Sequence, residues 1–329
     1  MRSLHLLSTR QRFQLALSLF ATIALGGFFF STVNWLNVST TLVNVNLYWL
    51  STAAGCLLLH QIVRALRIRA IVAQDDSIVG ITATCVLQSW LGMLLPSGLA
   101  QATFIYMLKE LHAVRIARAL SGLLVMRLID LMLFALVALA IAAVVNTSHE
   151  TDINRIVAIV ALLIIMTGIG LIVLSELSEK MSVHNNILME RLTGLVRLAS
   201  EDLLQSIKIQ VRLKIILTTS LIWLALFGSY ASLCLSLGVQ PGIFSAILGF
   251  SILMLINLLP IHGIAGVGTH HLAWYLVLTL IGMEEESAKV IASTTHVLML
   301  VLFTVWVPLA VIYLMINKWS GRTSRVGKI

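Results

Sequence analysis

Apolar residues run in long unbroken stretches along this chain, separated by short polar or charged segments. Crossing the hydrocarbon of a bilayer takes about 20 apolar residues in a helix. Six stretches meet that length and predict spans: Phe13–Val33, Val45–Val63, Ala119–Val145, Ile156–Leu174, Ile215–Leu237 and Val290–Ile316. Two more apolar regions, Ile78–Leu108 and Ile243–Met283, are each interrupted halfway, at Leu95-Pro96-Ser97-Gly98 and at Leu259-Pro260-Ile261-His262-Gly263. Proline removes a donor and clashes one turn back, while glycine frees the backbone, so each interruption predicts a broken helix. Between spans, Ser31–Asn44 reads as an uncharged loop. Ser175–Lys214 alternates charges with apolar residues at helical spacing, predicting a cytoplasmic amphipathic connection.

Charge supplies the orientation. Basic residues gather in Arg64–Asp76, Lys109–Arg118, Ser175–Lys214 and the tail 317–329, whereas Glu284-Glu285-Glu286 is acidic. Cytoplasmic loops carry the excess of Lys and Arg. If each interrupted region enters and leaves on one side, every basic segment falls in the cytoplasm, and so do both termini. If either crossed once, that order would fail. The two hairpins then enter from opposite faces and turn at similar Leu-Pro strings, the mark of an inverted repeat. Expected, therefore, is an all-α polytopic membrane protein over 1–329, with six spanning helices plus two broken re-entrant or paired-helix hairpins in an inverted repeat.

Composition agrees. Hydrophobic residues make up 59% of the 329 positions and charged residues 11%, against about 25% charged in an ordinary soluble domain. Such a chain needs lipid as its solvent. The net charge of +8 is accounted for by cations flanking apolar runs, so no nucleic-acid partner is expected. Three cysteines lie in apolar stretches without metal or disulfide spacing, and no cofactor, metal site or catalytic set is expected. The N-terminal apolar run is too long for a signal core and reads as the first span.

Candidate chemistry sits where polar residues interrupt the oil. Arg127 and Asp130 stand at i and i+3 inside a span, where ionisable groups are costly and mark function by default. A self-neutralised pair locking helices is the bland alternative. Pro96, Gly98 and Pro260 mark the breaks, with Asn257 nearby and His262, Gly263, Gly266, Gly268, His270 and His271 around the second turn. A helix starting after these glycines presents free N–H groups and a dipole that favour an anion. His296 lies in the last span. Protonated, the histidines can hold phosphate or relay protons.

The string Leu258-Leu259-Pro260-Ile261-His262-Gly263-Ile264-Ala265-Gly266-Val267-Gly268-Thr269, followed by His270-His271-Leu272-Ala273-Trp274, resembles the hallmark of the lysylphosphatidylglycerol synthase transmembrane-region family, the flippase-like domain proteins. Leu95-Pro96-Ser97-Gly98 and Arg127-x-x-Asp130 are similar to its first half. The resemblance implies a helical domain of the cell inner membrane that moves or handles lipids, aminoacylated phospholipids or polyprenyl-linked glycans among them. It does not imply synthesis, since the soluble transferase domain of the synthases has no counterpart here. In two places the sequence departs from the family pattern: His271 stands where a Glu is usual, and His296 where an Arg is often found. The expected partners are a phospholipid or polyprenyl-linked lipid. Alternatives are a non-transporting partner of a membrane glycosyltransferase or lipid synthase, and a membrane-embedded transferase.

Overall fold

The computed structural model describes residues 19–20, 22–73, 76–95, 97–144, 209–240, 242, 246–247, 249–251, 253, 264–280 and 282–326. Among them every regular element is a helix and none is a strand. A π-helical turn, Thr22–Gly26, leads into α1 (Gly27–Thr32); α2 (Trp35–Val43), α3 (Leu47–Ile71), α4 (Ile78–Leu94), α5 (Ser97–His112) and α6 (Ile116–Val144) follow. Later come α7 (Ile209–Ser236), a 3-10 turn Ile264–Gly266, α8 (Thr269–Leu280), α9 (Glu285–Val305) and α10 (Val307–Val326). Leu47–Ile71, Leu213–Ser236 and Glu285–Asn317 are long and apolar enough to cross a membrane. The expected span Ile156–Leu174 and the connection 175–208 lie outside the described residues.

Several boundaries differ from the hydropathy reading, each for a local reason. The uncharged loop expected over Ser31–Asn44 contains α2 instead. Asn34 caps it, its Oδ1 accepting from the N–H groups of Leu36 (3.1 Å) and Asn37 (3.3 Å). The span expected to end at Val63 continues as α3 to Ile71, carrying Arg64, Arg67 and Arg69 on the helix rather than in a loop. Arginine and alanine favour helix, and Ala65 and Ile68 are buried, so nothing stops the helix at the first charge. The last span is divided at Trp306, because Pro308 cannot donate to the preceding turn. The basic tail begins as helix, which runs to Val326.

The chain forms two compact units: Met1–Ile62 with Ser77–Met107 and Ile222–Ile329, and Val63–Asp76 with Leu108–Leu221. Polarity in the first unit is inverted relative to a soluble protein. Thr84, Gln88, Ser229, Thr294 and Thr295 are buried, while Leu224, Val301, Leu309, Ile312 and Met315 are exposed. Two of the buried hydroxyls are satisfied along their own helices, as Thr84 Oγ1 donates to the Gly80 carbonyl and Thr294 Oγ1 to that of Val290. The α3 and α7 helices meet at seven-residue intervals. The Asn46 N–H donates to the Ser236 carbonyl (2.9 Å), Ser229 Oγ donates to the Ala53 carbonyl (3.0 Å), and His60 Nδ1 lies 3.1 Å from the Ile222 carbonyl. A repeat of seven keeps two antiparallel helices in register along one seam.

The first predicted helix break has a visible outcome in this unit, while the second, at Leu259–Gly263, lies outside the described residues. The α4 helix ends at Leu95, which turns to an extended conformation (φ −103°, ψ 150°), and α5 starts at Ser97. The α4 helix packs against α10 through Ala83, Val86 and Ala310, and Trp90 Nε1 donates to Thr304 Oγ1 at 3.1 Å. It also packs against the Ile264–Gly266 turn, within the second interrupted region. That turn is seated on the N-terminal helix. Gly268 has φ +81°, and a Cβ there would meet the Gly26 nitrogen at 2.7 Å and Leu25 Cβ at 2.6 Å. We expect Gly268→Ala to destabilise the protein by about 1–3 kcal/mol through its backbone conformation alone, with the steric clash adding to that. A thermal melt in detergent measures it, and an unchanged Tm would contradict the close seating.

Candidate functional site

Two polar constellations occupy these units, one in each. The first is built on the glycine-rich turn. Ala265, Gly266 and Gly268 all have positive φ (55°, 72° and 81°), so the chain reverses sharply before α8 begins. Gly268 sits at the N-cap and His271 three residues on. The Gly268 N–H donates to His271 Nδ1 at 3.2 Å. In a capping box that acceptor is a Glu or Gln side chain at the same position; here an imidazole nitrogen does the job. The other face of His271 meets His296 on α9, with Nε2 to Nδ1 at 3.2 Å, and His296 Nε2 reaches the Ala265 carbonyl at 2.9 Å.

These contacts settle the tautomers. The Gly268 N–H requires His271 Nδ1 to accept, so His271 carries its proton on Nε2 and donates to His296 Nδ1. His296 then carries its own on Nε2 and donates to Ala265. Two neutral imidazoles thus form a chain that starts and ends on the backbone of one turn. Both rings are buried, at 4% and 5% exposure. Phe29 stacks on His271 (centroids 5.4 Å apart), and His270 stacks on His296 (4.8 Å). The His270 Nε2 is buried without a hydrogen-bond partner. Trp274, fully buried, joins His270 to Tyr230 and Phe250.

In the second unit Asp130 meets a partner that sequence spacing does not point to. Arg67 of α3 grips it in a fork, Nη1 to Oδ1 at 2.5 Å and Nη2 to Oδ2 at 3.0 Å, and Nη1 also donates to Thr219 Oγ1 on α7 at 3.2 Å. Arg67 and Asp130 are 4% and 6% exposed. A buried bidentate pair of this kind ties three helices together. Arg67 lies four residues from the end of α3, about 6 Å along its axis, so Asp130 is level with that end although it is well inside α6. Arg127, one turn before Asp130, is exposed. The charges that act on it are those of Arg64, Asp130 and Arg67.

The structure therefore brings together Gly266, Gly268, His270, His271 and His296 in one unit, and Asp130 with Arg127 in the other. Gly98 lies in α5, while Pro96, Asn257, Pro260, His262 and Gly263 lie outside the described residues. Sequence reasoning placed Arg67 in a loop and missed its role. The one available signal was an arginine at helical spacing beyond a span, and nothing in the chain order links it to Asp130. Among the described residues no group of His, Cys, Asp and Glu side chains is arranged to hold a metal ion.

Helices long and apolar enough to cross a membrane, with no strand among the described residues, define a helical membrane protein. The match to the lysylphosphatidylglycerol synthase TM region family covers residues 13–307, and the chain belongs to that family, a membrane domain linked to lipid handling. Neither the comparison with curated proteins nor that with solved structures gives a match.

Removing one partner of the Arg67–Asp130 pair leaves the other buried without its bidentate partner, which costs about 3–5 kcal/mol. Arg67→Ala and Asp130→Ala should each lower the Tm in detergent sharply, and Arg67→Met with Asp130→Leu should recover most of the loss. If either single variant melts like wild type, the pair does not hold the helices.

A second pair, in the loops of the same unit, predicts a pH dependence. His112 Nδ1 lies 3.1 Å from Asp76 Oδ2, at the end of α5 and outside the spans. Burial holds the His112 imidazole below its ordinary value, and the Asp76 carboxylate opposes this only in part. The unfolded chain takes up a proton near pH 6.5, whereas folded His112 waits for a lower pH. Stability is therefore full above that range and falls as pH drops from about 6.5 through the lowered value. Between pH 7 and pH 5 wild type should lose more Tm than His112→Gln; equal losses would remove His112 from the account.

Proposed function

We propose that this protein translocates, or otherwise handles across the membrane, a lipid or lipid-linked intermediate with an anionic headgroup. The observation that carries the reading is a cluster of guanidinium groups beside the end of an apolar helix. Arg64, Arg67 and Arg127 share the neighbourhood of the Asp130 carboxylate. Arg67 is committed to Asp130 and Thr219. Arg127, exposed on α6, is the group offered to a ligand. A guanidinium matches the oxygens of a phosphate in planar, bidentate fashion. Charge at this depth attracts anionic headgroups and repels cationic ones.

The architecture that suits this work is six spans with two re-entrant hairpins in an inverted repeat, both termini facing the cytoplasm of a bacterial-type inner membrane. Contact between α4 and the Ile264–Gly266 turn supports it, since the arms of an inverted repeat meet near its pseudo-twofold axis. Membership of a lipid-handling family supports the substrate class. The lipid is an acidic phospholipid or a polyprenyl-linked phosphate, which present the same phosphate chemistry to Arg127.

Headgroup translocation in reconstituted vesicles tests the proposal. Wild type should move a labelled phosphatidylglycerol faster than protein-free vesicles do, Arg127→Ala at least tenfold more slowly, and Arg127→Lys in between. A wild type no faster than empty vesicles, for phosphatidylglycerol and polyprenyl phosphate alike, would sink the reading; equal rates for wild type and Arg127→Ala would take Arg127 out of it.

A further inference from the structure

The imidazole chain at the glycine-rich turn has a property that goes beyond the proposed function: it has no room for a third proton. Four ring nitrogens, two on His271 and two on His296, lie in series between one backbone donor, the Gly268 N–H, and one backbone acceptor, the Ala265 carbonyl. With two protons on the four nitrogens, all three contacts are hydrogen bonds. Adding one proton forces a single contact to become N–H against N–H. Either the two rings face each other with protons, or His271 moves its proton to Nδ1 and confronts the Gly268 N–H. In the second case the ring pair stays bonded and the anchor of the turn is released, so that is where the chain gives way. The third contact, His296 Nε2 to Ala265, is kept in both.

We propose that the His271–His296 pair is a proton-binding site whose occupation unlocks the glycine-rich turn at the start of α8. The turn has reason to move once unlocked. Ala265 stands at φ 55°, a conformation that costs a residue with a Cβ about 1 kcal/mol or more, and the Gly268–His271 bond is one of the contacts that fix the backbone of this turn. Nearby charge does not hold the proton elsewhere. On α8 the titratable neighbours are His270 and Tyr275; on α9, His296 itself and Lys289, whose ammonium lies 5.9 Å from the Tyr275 ring centre. The Thr22–Thr32 stretch presents Phe29 and no titratable group, and α4 brings only Cys85. Among the described residues packed here no carboxylate is available to neutralise an imidazolium, so a bound proton acts on the hydrogen bonds alone.

Two measurements on the full-length protein in lipid test this, and neither depends on transport. Amide hydrogen exchange over residues 264–272, corrected for the intrinsic pH dependence, should quicken at least tenfold between pH 7.5 and pH 4 in wild type. It should be flat in His271→Asn with His296→Gln, which keeps donors and acceptors but takes up no proton. Nitrogen-15 spectra of histidine-labelled wild type need no variant, since among the nine histidines the pair is recognised by the N–H···N coupling between its two rings. At pH 7.5 this pair should show both imidazoles protonated on Nε2 with Nδ1 accepting, and at pH 4 one of the two should be an imidazolium. Protection that does not change with pH, a pH response retained in the double variant, or a neutral pair persisting at pH 4 would each overturn the proposal.

Discussion

A peptide group released from its helix inside an apolar medium has no water to bind, so every break must bring its own partners. Around the turn at Ile264–Gly266 side chains supply three such partners, one of them Thr269, whose Oγ1 donates to the Gly266 carbonyl. His271 takes the Gly268 N–H and His296 takes the Ala265 carbonyl, and each is held in its tautomer by the other. Because the chain begins and ends on the same turn, α8 and α9 are drawn together at that point, and the buried aromatic cluster around Trp274 fills in behind. The close seating of Gly268 on Gly26 follows, since only a residue without a Cβ brings the two backbones this near.

The second unit solves the same difficulty with charge. Arg67 and Asp130 are removed from solvent together, and the desolvation that each would suffer alone is offset by a two-pronged ion pair with Thr219 taking a further N–H. The two units therefore suit different ligands on the proposals made above: an anion beside Arg127 in the one, and a proton on the imidazole pair in the other.

Much of this was legible in the order of residues. Long apolar runs mark spans because burying about 20 residues in hydrocarbon is a property of composition and length, and α3, α7 and α9 with α10 lie where those runs are. The helix break at Leu95 was legible from Leu95-Pro96, and the turn before α8 from its glycines, since proline and glycine act on the backbone within one turn of themselves. Membership of the family was legible for the same reason: its motif is a continuous string. Helix α2 was not, because its apolar residues are few and Asn34, its cap, reads equally well as a loop residue. The extension of α3 past Arg64 escaped because hydropathy ends a span at the first charge, whereas helix propensity does not.

By itself, the sequence determined that this is a helical membrane protein, which family it belongs to, and that a helix is interrupted at Leu95. Only tertiary structure decided what those residues touch. Asp130 is bound to an arginine 63 positions away and His271 to a histidine 25 positions away, while the residue three places before Asp130 on its own helix is left facing outward. The physical reason is range. Hydropathy and backbone preference act through neighbours along the chain, but a buried polar group takes its partner from whichever helix packs beside it, and packing is decided by all the helices together.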